Sequence, residues 1–186
     1  ALHRALWEKL ETWRWQRLDN AMGRALQAYG VVDQAPAALA AMVTQQLALV
    51  RAHELGESWA ARRLGEDWNT LLLALPRTPA ELVLRAVRDL LADCHATLPA
   101  LLAADSEAAW HFYAGSLSGM RRQLFPAFVA AYERWRETAD AAPLQALAQR
   151  GEAHWLAVAE EALACAAAHP EQAGALISDF ADTRRL

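Results

Sequence analysis

Lysine is almost absent from this chain of 186 residues. Of its 18 Lys and Arg residues, Lys9 is the only lysine, and 22 carboxylate side chains leave a formal net charge of −4 at pH 7. Proteins that bind nucleic acids need a clustered positive surface, because much of their affinity comes from releasing counterions from phosphates. The charge balance therefore argues against a nucleic-acid partner.

Cysteine is scarce, and no long hydrophobic run interrupts the sequence. Cys94 and Cys165 are isolated within apolar helical patterns, which favours free buried thiols in a reducing compartment, although a single disulfide stays open. No stretch reaches the ~18 uninterrupted apolar residues that a membrane span requires. We therefore expect a cytoplasmic protein without a transmembrane segment.

Metal-ligand motifs are missing as well. A di-iron bundle needs Glu-x-x-His pairs, but Glu107 and His111 are four residues apart, and Glu152 and His154 are two apart. His53 has no second histidine four residues later, so it does not form a zincin motif. The sequence predicts no metal site.

Signatures of catalysis and of cofactor binding are equally lacking. The eight glycines form no phosphate-binding loop. Cys94 and His95 are adjacent, but neighbours on a helix point about 100° apart and cannot act together as nucleophile and base. We therefore predict a non-enzymatic protein with no catalytic residue and no cofactor. Whether His111 or His154 lines a ligand pocket stays open.

What the sequence does contain is helical periodicity along its whole length. Apolar residues recur at three- and four-residue steps, as the run of leucine, valine and tryptophan between Pro36 and Leu75 illustrates. No alternating pattern persists long enough to predict a strand. We predict an all-α fold, a bundle of about four to six long amphipathic, mostly antiparallel helices. It forms a single domain over residues 1–186, with a subdivision near 99–106 left open.

Helix boundaries are marked by glycine, proline and one strong capping pattern. Thr78-Pro79-Ala80-Glu81 combines an N-cap hydroxyl, a proline at the first helical position and a carboxylate three residues after the cap, which predicts a helix start. Gly56 and Gly65 lie inside the preceding helical pattern and each costs about 1 kcal/mol relative to alanine, so a bend or break is expected there. Pro126 predicts a kink or a restart.

Eight tryptophans are the unusual feature of the composition. Trp13 and Trp15 cannot both face one core, because residues two apart on a helix differ by about 200° in direction. Tryptophan suits surfaces where a large ring meets a partner. The predicted partner- or surface-binding residues are Trp7, Trp13, Trp15, Trp59 and Trp68.

Two segments resemble proteins of bacterial polyhydroxyalkanoate granules. Residues 45–91, with Trp59-Ala60-Ala61-Arg62 and then Arg77-Thr78-Pro79-Ala80-Glu81-Leu82, resemble phasins, the proteins that coat these granules. Residues 84–94, continuing through Met120-Arg121-Arg122, are similar to the C-terminal region of the non-catalytic subunit of class III polyhydroxyalkanoate synthases. Val87, Leu91 and Ala96–Thr97 depart from the synthase-subunit pattern, and the chain from Phe125 onward matches neither family.

The resemblance implies a non-enzymatic function. It implies a helical scaffold or surface-binding protein whose partner is a protein or a hydrophobic polymer surface, at a storage granule or its synthase. The alternative, from the residues alone, is a helical sensor or regulatory domain that binds a small apolar ligand or cofactor between its helices. A homo-oligomer is compatible with helices that have two apolar sides.

Overall fold

The computed structural model of the chain describes residues 4, 6–8, 11–12, 19–31 and 35–186. Helices account for most of these residues and none of them forms a strand, so the all-α prediction is confirmed. Among the described residues, no helix combines the length and apolar composition that crossing a membrane requires.

Residue contacts divide the chain into two compact units. Unit 1 contains Ala1–Arg51 and Ala100–Leu117, and unit 2 contains Ala52–Pro99 and Ser118–Leu186. The chain passes from unit 2 to unit 1 after Pro99, at the edge of the range 99–106 where the sequence left a subdivision open. The prediction of a single domain stays a prediction.

Unit 1 is built around α1 (Ala21–Ala28), the beginning of α2 (Ala35–Ala74) and α5 (Glu107–Ser116). The Asn20 side chain caps α1 by accepting a hydrogen bond of 2.8 Å from the Gly23 backbone. Helices α1 and α5 pack closely because Gly115 lacks a side chain: a Cβ there would lie 2.7 Å from the Met22 nitrogen. The buried core of unit 1 contains Leu6, Ala25, Leu26, Val31, Ala38, Leu39, Met42 and Phe112.

The long helix α2 matches the predicted segment from Pro36 to Leu75 within a residue at each end. It is interrupted at Gly65, whose φ of 74° and ψ of −171° are not helical. Glycine adopts this conformation without the steric cost that a side chain would add. Gly56 remains helical, so only one of the two glycines produces the expected break.

Unit 2 begins with α2 from Ala52 onward and continues into α3 (Pro79–Ala92), where Thr78 forms the predicted N-cap. A π-helical turn, Asp93–Thr97, joins α3 to α4 (Leu98–Ala104), so Pro99 falls in the first turn of a new helix. From Ala100 onward α4 belongs to unit 1.

The remaining segments of unit 2 are α6 (Gly119–Leu124), α7 (Pro126–Thr138), α8 (Ala142–Ala168), α9 (Ala173–Ser178) and α10 (Phe180–Thr183). Pro126 therefore begins a helix, as a restart.

Large side chains fill the core of unit 2, where α8 packs against α3 and α7. Phe125 meets Trp155 edge to face, with ring centroids 5.6 Å apart. The largest fully buried side chains of this unit are Trp68, Leu84, Leu90, Leu91, Leu98, Phe125, Phe128 and Trp155. This core holds the helices that carry the polar residues described next.

Candidate functional site

A π-helical turn at the end of α3 carries several polar side chains. The Leu98 N–H donates to the Asp93 carbonyl five residues earlier, so one extra residue is accommodated in the turn. Such π-turns are frequent at functional sites, because the insertion re-aims side chains that a regular helix would point elsewhere. Here the turn contains Asp93, Cys94 and His95.

Helices α2 and α3 approach each other closely beside this turn. The approach is permitted by Gly56, where a Cβ atom would lie 2.5 Å from the carbonyl oxygen of Ala92. His53 on α2 contacts Asp93, and Glu57 one turn later lies near Asp89 one turn earlier, so the two helices run antiparallel here. Each helix therefore presents two polar residues, four apart, to the other.

Asp93 is the buried centre of this arrangement, with only 1% of its surface exposed. One carboxylate oxygen lies 2.8 Å from His53 Nδ1, and the other accepts a hydrogen bond of 3.2 Å from Arg121 Nη1. A buried carboxylate needs such partners, since burial without them would cost several kcal/mol. The hydrogen bond to Asp93 is also the main reason why the pKa of His53 is raised, against the opposing effect of burial.

The carboxylates of Glu57 and Asp89 and the guanidinium of Arg88 meet on the more exposed side of His53. His53 Nε2 lies 3.8 Å from Glu57 Oε1. His53, Glu57 and Asp89 each offer one nitrogen or oxygen atom that could bind a metal, and these three atoms lie within 4.8 Å of one another. Arg88 Nη2 bridges the two carboxylates, at 2.7 Å from Glu57 and 3.1 Å from Asp89.

We call six residues of this region the π-turn cluster: His53, Glu57, Arg88, Asp89, Asp93 and Arg121. Histidine nitrogen and carboxylate oxygen are both metal-ligand atoms, so this cluster is the part of unit 2 suited to hold a metal.

A second histidine lies on the other side of the turn. His95 stacks on the Trp59 ring, with centroids 3.8 Å apart and planes 5° from parallel. Its Nδ1 lies 3.2 Å from Glu152 Oε2 on α8. Trp59 is half-buried, so its ring serves as the flat support on which this histidine is held.

Cys94 does not supply a reactive thiol between the two histidines. Burial raises its pKa far above the ordinary value, with the negative charges of Asp93 and Glu152 adding to the effect. Its sulfur occupies the space beside Gly151, where a Cβ atom would lie 2.5 Å away. The thiol is therefore protonated, and its contribution is to the packing of α3 on α8.

A separate apolar groove lies between the part of α2 that follows Gly65 and the end of α8. Its volume is about 440 Å³, and eight of its ten lining residues are apolar. We call it the α2–α8 groove; its lining residues are Asp67, Thr70, Leu71, Ala74, Leu75, Leu163, Ala166, Ala167, Pro170 and Ala173.

The five tryptophans predicted as surface-binding have different environments. Trp7 is 42% exposed, whereas Trp13 and Trp15 lie outside the described residues. Trp68 is 1% exposed, which corrects the expectation that it contributes to a surface, because its ring fills the core of unit 2. Trp59 is half-buried, with its ring stacked on His95.

The two histidines left open as pocket residues have protein partners. His111 is buried, with Nε2 3.1 Å from Glu107 Oε1, the residue one turn earlier. His154 Nε2 donates to the Arg184 carbonyl oxygen at 3.0 Å, and its ring lies edge-on to Trp155. Neither lines the α2–α8 groove.

The π-turn cluster is not predicted by any local sequence motif, because its residues come from separate helices. Known metal motifs place two ligands in a fixed pattern on one helix, and His53 belongs to no such pattern. Two weaker signals were present: His53 and Glu57, like Asp89 and Asp93, are spaced four apart and so share a helix face. The close approach of Gly56 to Ala92 accompanies the placement of these two faces opposite each other, and no local spacing predicts it.

Comparison with known proteins identifies a family but not an activity. Residues 3–184 match the C-terminal domain of a family of unknown function (DUF6866), so the chain belongs to that family. No curated protein and no solved structure matches the chain.

Proposed function

We propose that this member of the DUF6866 family is a non-enzymatic helical binding protein whose ligand is a small, mainly apolar molecule with one polar end, held in the α2–α8 groove. The observation that carries the proposal is the groove itself. Its volume of about 440 Å³ is within the range of about 300–1,000 Å³ found for small-molecule sites. Its lining is mainly leucine and alanine, with Asp67 and Thr70 as the polar groups.

The ligand that this groove suits has an apolar body and one polar end. Asp67 is the one charged residue among the lining residues, so a ligand with a hydrogen-bond donor or a positive charge complements it better than an acid. The Thr70 hydroxyl already donates to the Glu66 carbonyl at 3.1 Å, which leaves its oxygen free to accept. Simple n-alkylamines reproduce these features.

The test is a calorimetric titration of the purified chain with n-alkylamines and n-alkanols of increasing length. Burial of each methylene contributes about 0.8 kcal/mol, so the affinity should rise about fourfold per carbon until the chain outgrows the groove. Amines should bind more tightly than alkanols of equal length. No saturable binding, or fatty acids binding best, would contradict the proposal.

A groove-filling variant distinguishes this site from nonspecific adsorption. Ala167→Trp places a large ring in the groove and should abolish binding. Ala157→Trp is the matched control, because Ala157 is an exposed residue of the same helix that does not line the groove. Equal loss of binding in both variants would place the ligand elsewhere.

A second function, adsorption at a storage-granule surface, is favoured by exposed leucines in unit 2. Leu73 is 80% exposed, Leu55 is 70% and Leu82 is 58%, and exposed side chains of this kind add favourable apolar area on contact with a hydrophobic polymer. The resemblance to phasins gives polyhydroxyalkanoate as the specific surface.

The test of granule adsorption is co-sedimentation with polyhydroxybutyrate particles. The chain should sediment with the particles, and exchange of the three leucines for glutamine should lower the bound fraction. Enrichment no greater than that of an inert helical protein would count against this function.

A further inference from the structure

Three ligand atoms of different residues converge at the partly exposed side of the π-turn cluster. They are the imidazole nitrogen of His53 and carboxylate oxygens of Glu57 and Asp89, all within 4.8 Å of one another. The three side chains are each about a quarter exposed, so water and ions reach them. One nitrogen and two oxygens form a mixed ligand set.

The orientation of His53 makes it a better ligand than an isolated histidine. Asp93 accepts a hydrogen bond at Nδ1, so a neutral imidazole carries its lone pair on Nε2, the nitrogen that faces Glu57. Arg121 holds the second oxygen of Asp93, which fixes the carboxylate behind the ring. Metal-binding histidines are typically held in this way by a carboxylate on the nitrogen away from the metal.

We propose that His53, Glu57 and Asp89 bind a divalent first-row transition-metal ion such as Zn²⁺ or Co²⁺, with Asp93 as a positioning residue. The imidazole ligand favours these ions over Mg²⁺ and Ca²⁺, which prefer oxygen ligands alone. Three protein ligands on a partly exposed face leave at least one coordination position for water.

Arg88 is the competitor of the metal ion. Its guanidinium bridges Glu57 and Asp89 at the place where the ligands converge, so it must turn outward when a metal binds. In this position the guanidinium does not use all of its hydrogen-bond donors, because the buried Nε has no hydrogen-bond partner. A long side chain that is 26% exposed can reach water by rotation alone.

The charges of the cluster favour this exchange. With His53 neutral, the three carboxylates of Glu57, Asp89 and Asp93 face two guanidinium groups, those of Arg88 and Arg121. When a divalent ion takes the place of Arg88, the ion and Arg121 together balance the three carboxylates. A monovalent guanidinium leaves one negative charge uncompensated.

The test is titration of the full chain, first stripped with a chelator, with Co²⁺, whose visible absorption reports the coordination number. We expect saturable binding of one ion per chain. His53→Gln and Glu57→Gln should each weaken binding at least about tenfold, and Asp93→Asn should weaken it by about 10–100-fold, as is usual for a residue that orients a ligand. Arg88→Gln should tighten binding, since it removes the competing cation.

His154→Gln is the control, because His154 donates to a backbone carbonyl outside the cluster and should leave the affinity unchanged. Circular dichroism of each metal-free variant checks that it is folded. If His53→Gln is unfolded, the Co²⁺ affinity of Glu57→Gln tests the ligand assignment in its place. The proposal is overturned if Co²⁺ absorption does not saturate for the wild type and Arg88→Gln, or if folded ligand variants bind as tightly as wild type. It is also overturned if Arg88→Gln does not bind more tightly than wild type.

Discussion

The backbones of Gly56 and Ala92 are in contact, since a Cβ atom added to Gly56 would lie 2.5 Å from the Ala92 carbonyl oxygen. This contact sets the register of α2 against α3. With Gly56 opposite Ala92, His53 reaches Asp93, and Glu57 reaches the bridge formed by Arg88. A glycine in a helix interior costs stability, so its presence here is explained by the close approach that it permits.

Gly56→Ala should therefore destabilise the protein, although alanine is the better helix former. The added methyl group collides with backbone atoms, which cannot rotate away as a flexible side chain could, and overpacking of this kind costs about 1–3 kcal/mol. Thermal unfolding followed by circular dichroism measures the change. Glu54→Ala is the matched control on the same turn, since Glu54 is exposed and should change the midpoint little. An unchanged or raised midpoint for Gly56→Ala would show that the helices separate without cost.

The two glycines of α2 show what the sequence could and could not predict. Helical periodicity predicts α2 because it is a property of neighbouring residues, and a break near Gly56 or Gly65 follows from glycine's backbone freedom. Which glycine breaks the helix depends on long-range packing: Gly65 adopts φ 74°, whereas Gly56 stays helical against Ala92. The same limit applies to the π-turn cluster, since the distance from His53 to Asp93 is fixed by this packing and by no local motif.

The cap of α3 is a local feature, and its energetic contribution can be measured directly. Thr78 Oγ1 accepts a hydrogen bond of 3.2 Å from the Glu81 N–H and donates one of 2.8 Å to the Leu75 carbonyl. Thr78→Ala should lower the free energy of unfolding by about 1 kcal/mol, the usual contribution of an N-cap side chain. Urea denaturation measures this difference.

The control for the cap is Thr44→Ala, which removes a hydroxyl bonded to the Ala40 carbonyl within α2. Alanine is the stronger helix former at such a position, so stability should stay the same or increase. If both variants lose the same free energy, the cap does not account for the loss at Thr78.

The two cysteines should differ in reactivity. Cys94 is buried and its pKa is raised, chiefly by that burial, whereas Cys165 is half-buried. A thiolate attacks a sulfur of an aromatic disulfide reagent and displaces the coloured thiolate, so the native protein should release one equivalent of chromophore quickly and the second only after denaturation. Cys165→Ser should abolish the fast phase. If Cys94→Ser abolished it instead, the thiol of the π-turn would be accessible and the packing of α3 on α8 would be looser than described.

Asp93 connects the stability of unit 2 to the geometry of the π-turn cluster. Asp93→Asn keeps the shape of the side chain but removes the charge that His53 and Arg121 face. Because those two partners are about a quarter exposed, they regain water when the carboxylate is lost, and we expect a cost of about 1–3 kcal/mol.

A double-mutant cycle with Arg121→Gln separates this interaction from packing effects. Removal of Arg121 alone leaves a carboxylate that is 1% exposed with one cationic partner fewer, so the single variant should be destabilised. In the Asp93→Asn background the same change should cost less, because no buried charge remains to be compensated. Urea denaturation of the four proteins gives the coupling energy directly. If the two losses add without coupling, Arg121 does not stabilise the buried carboxylate, and the orientation of His53 rests on its own contact with Asp93.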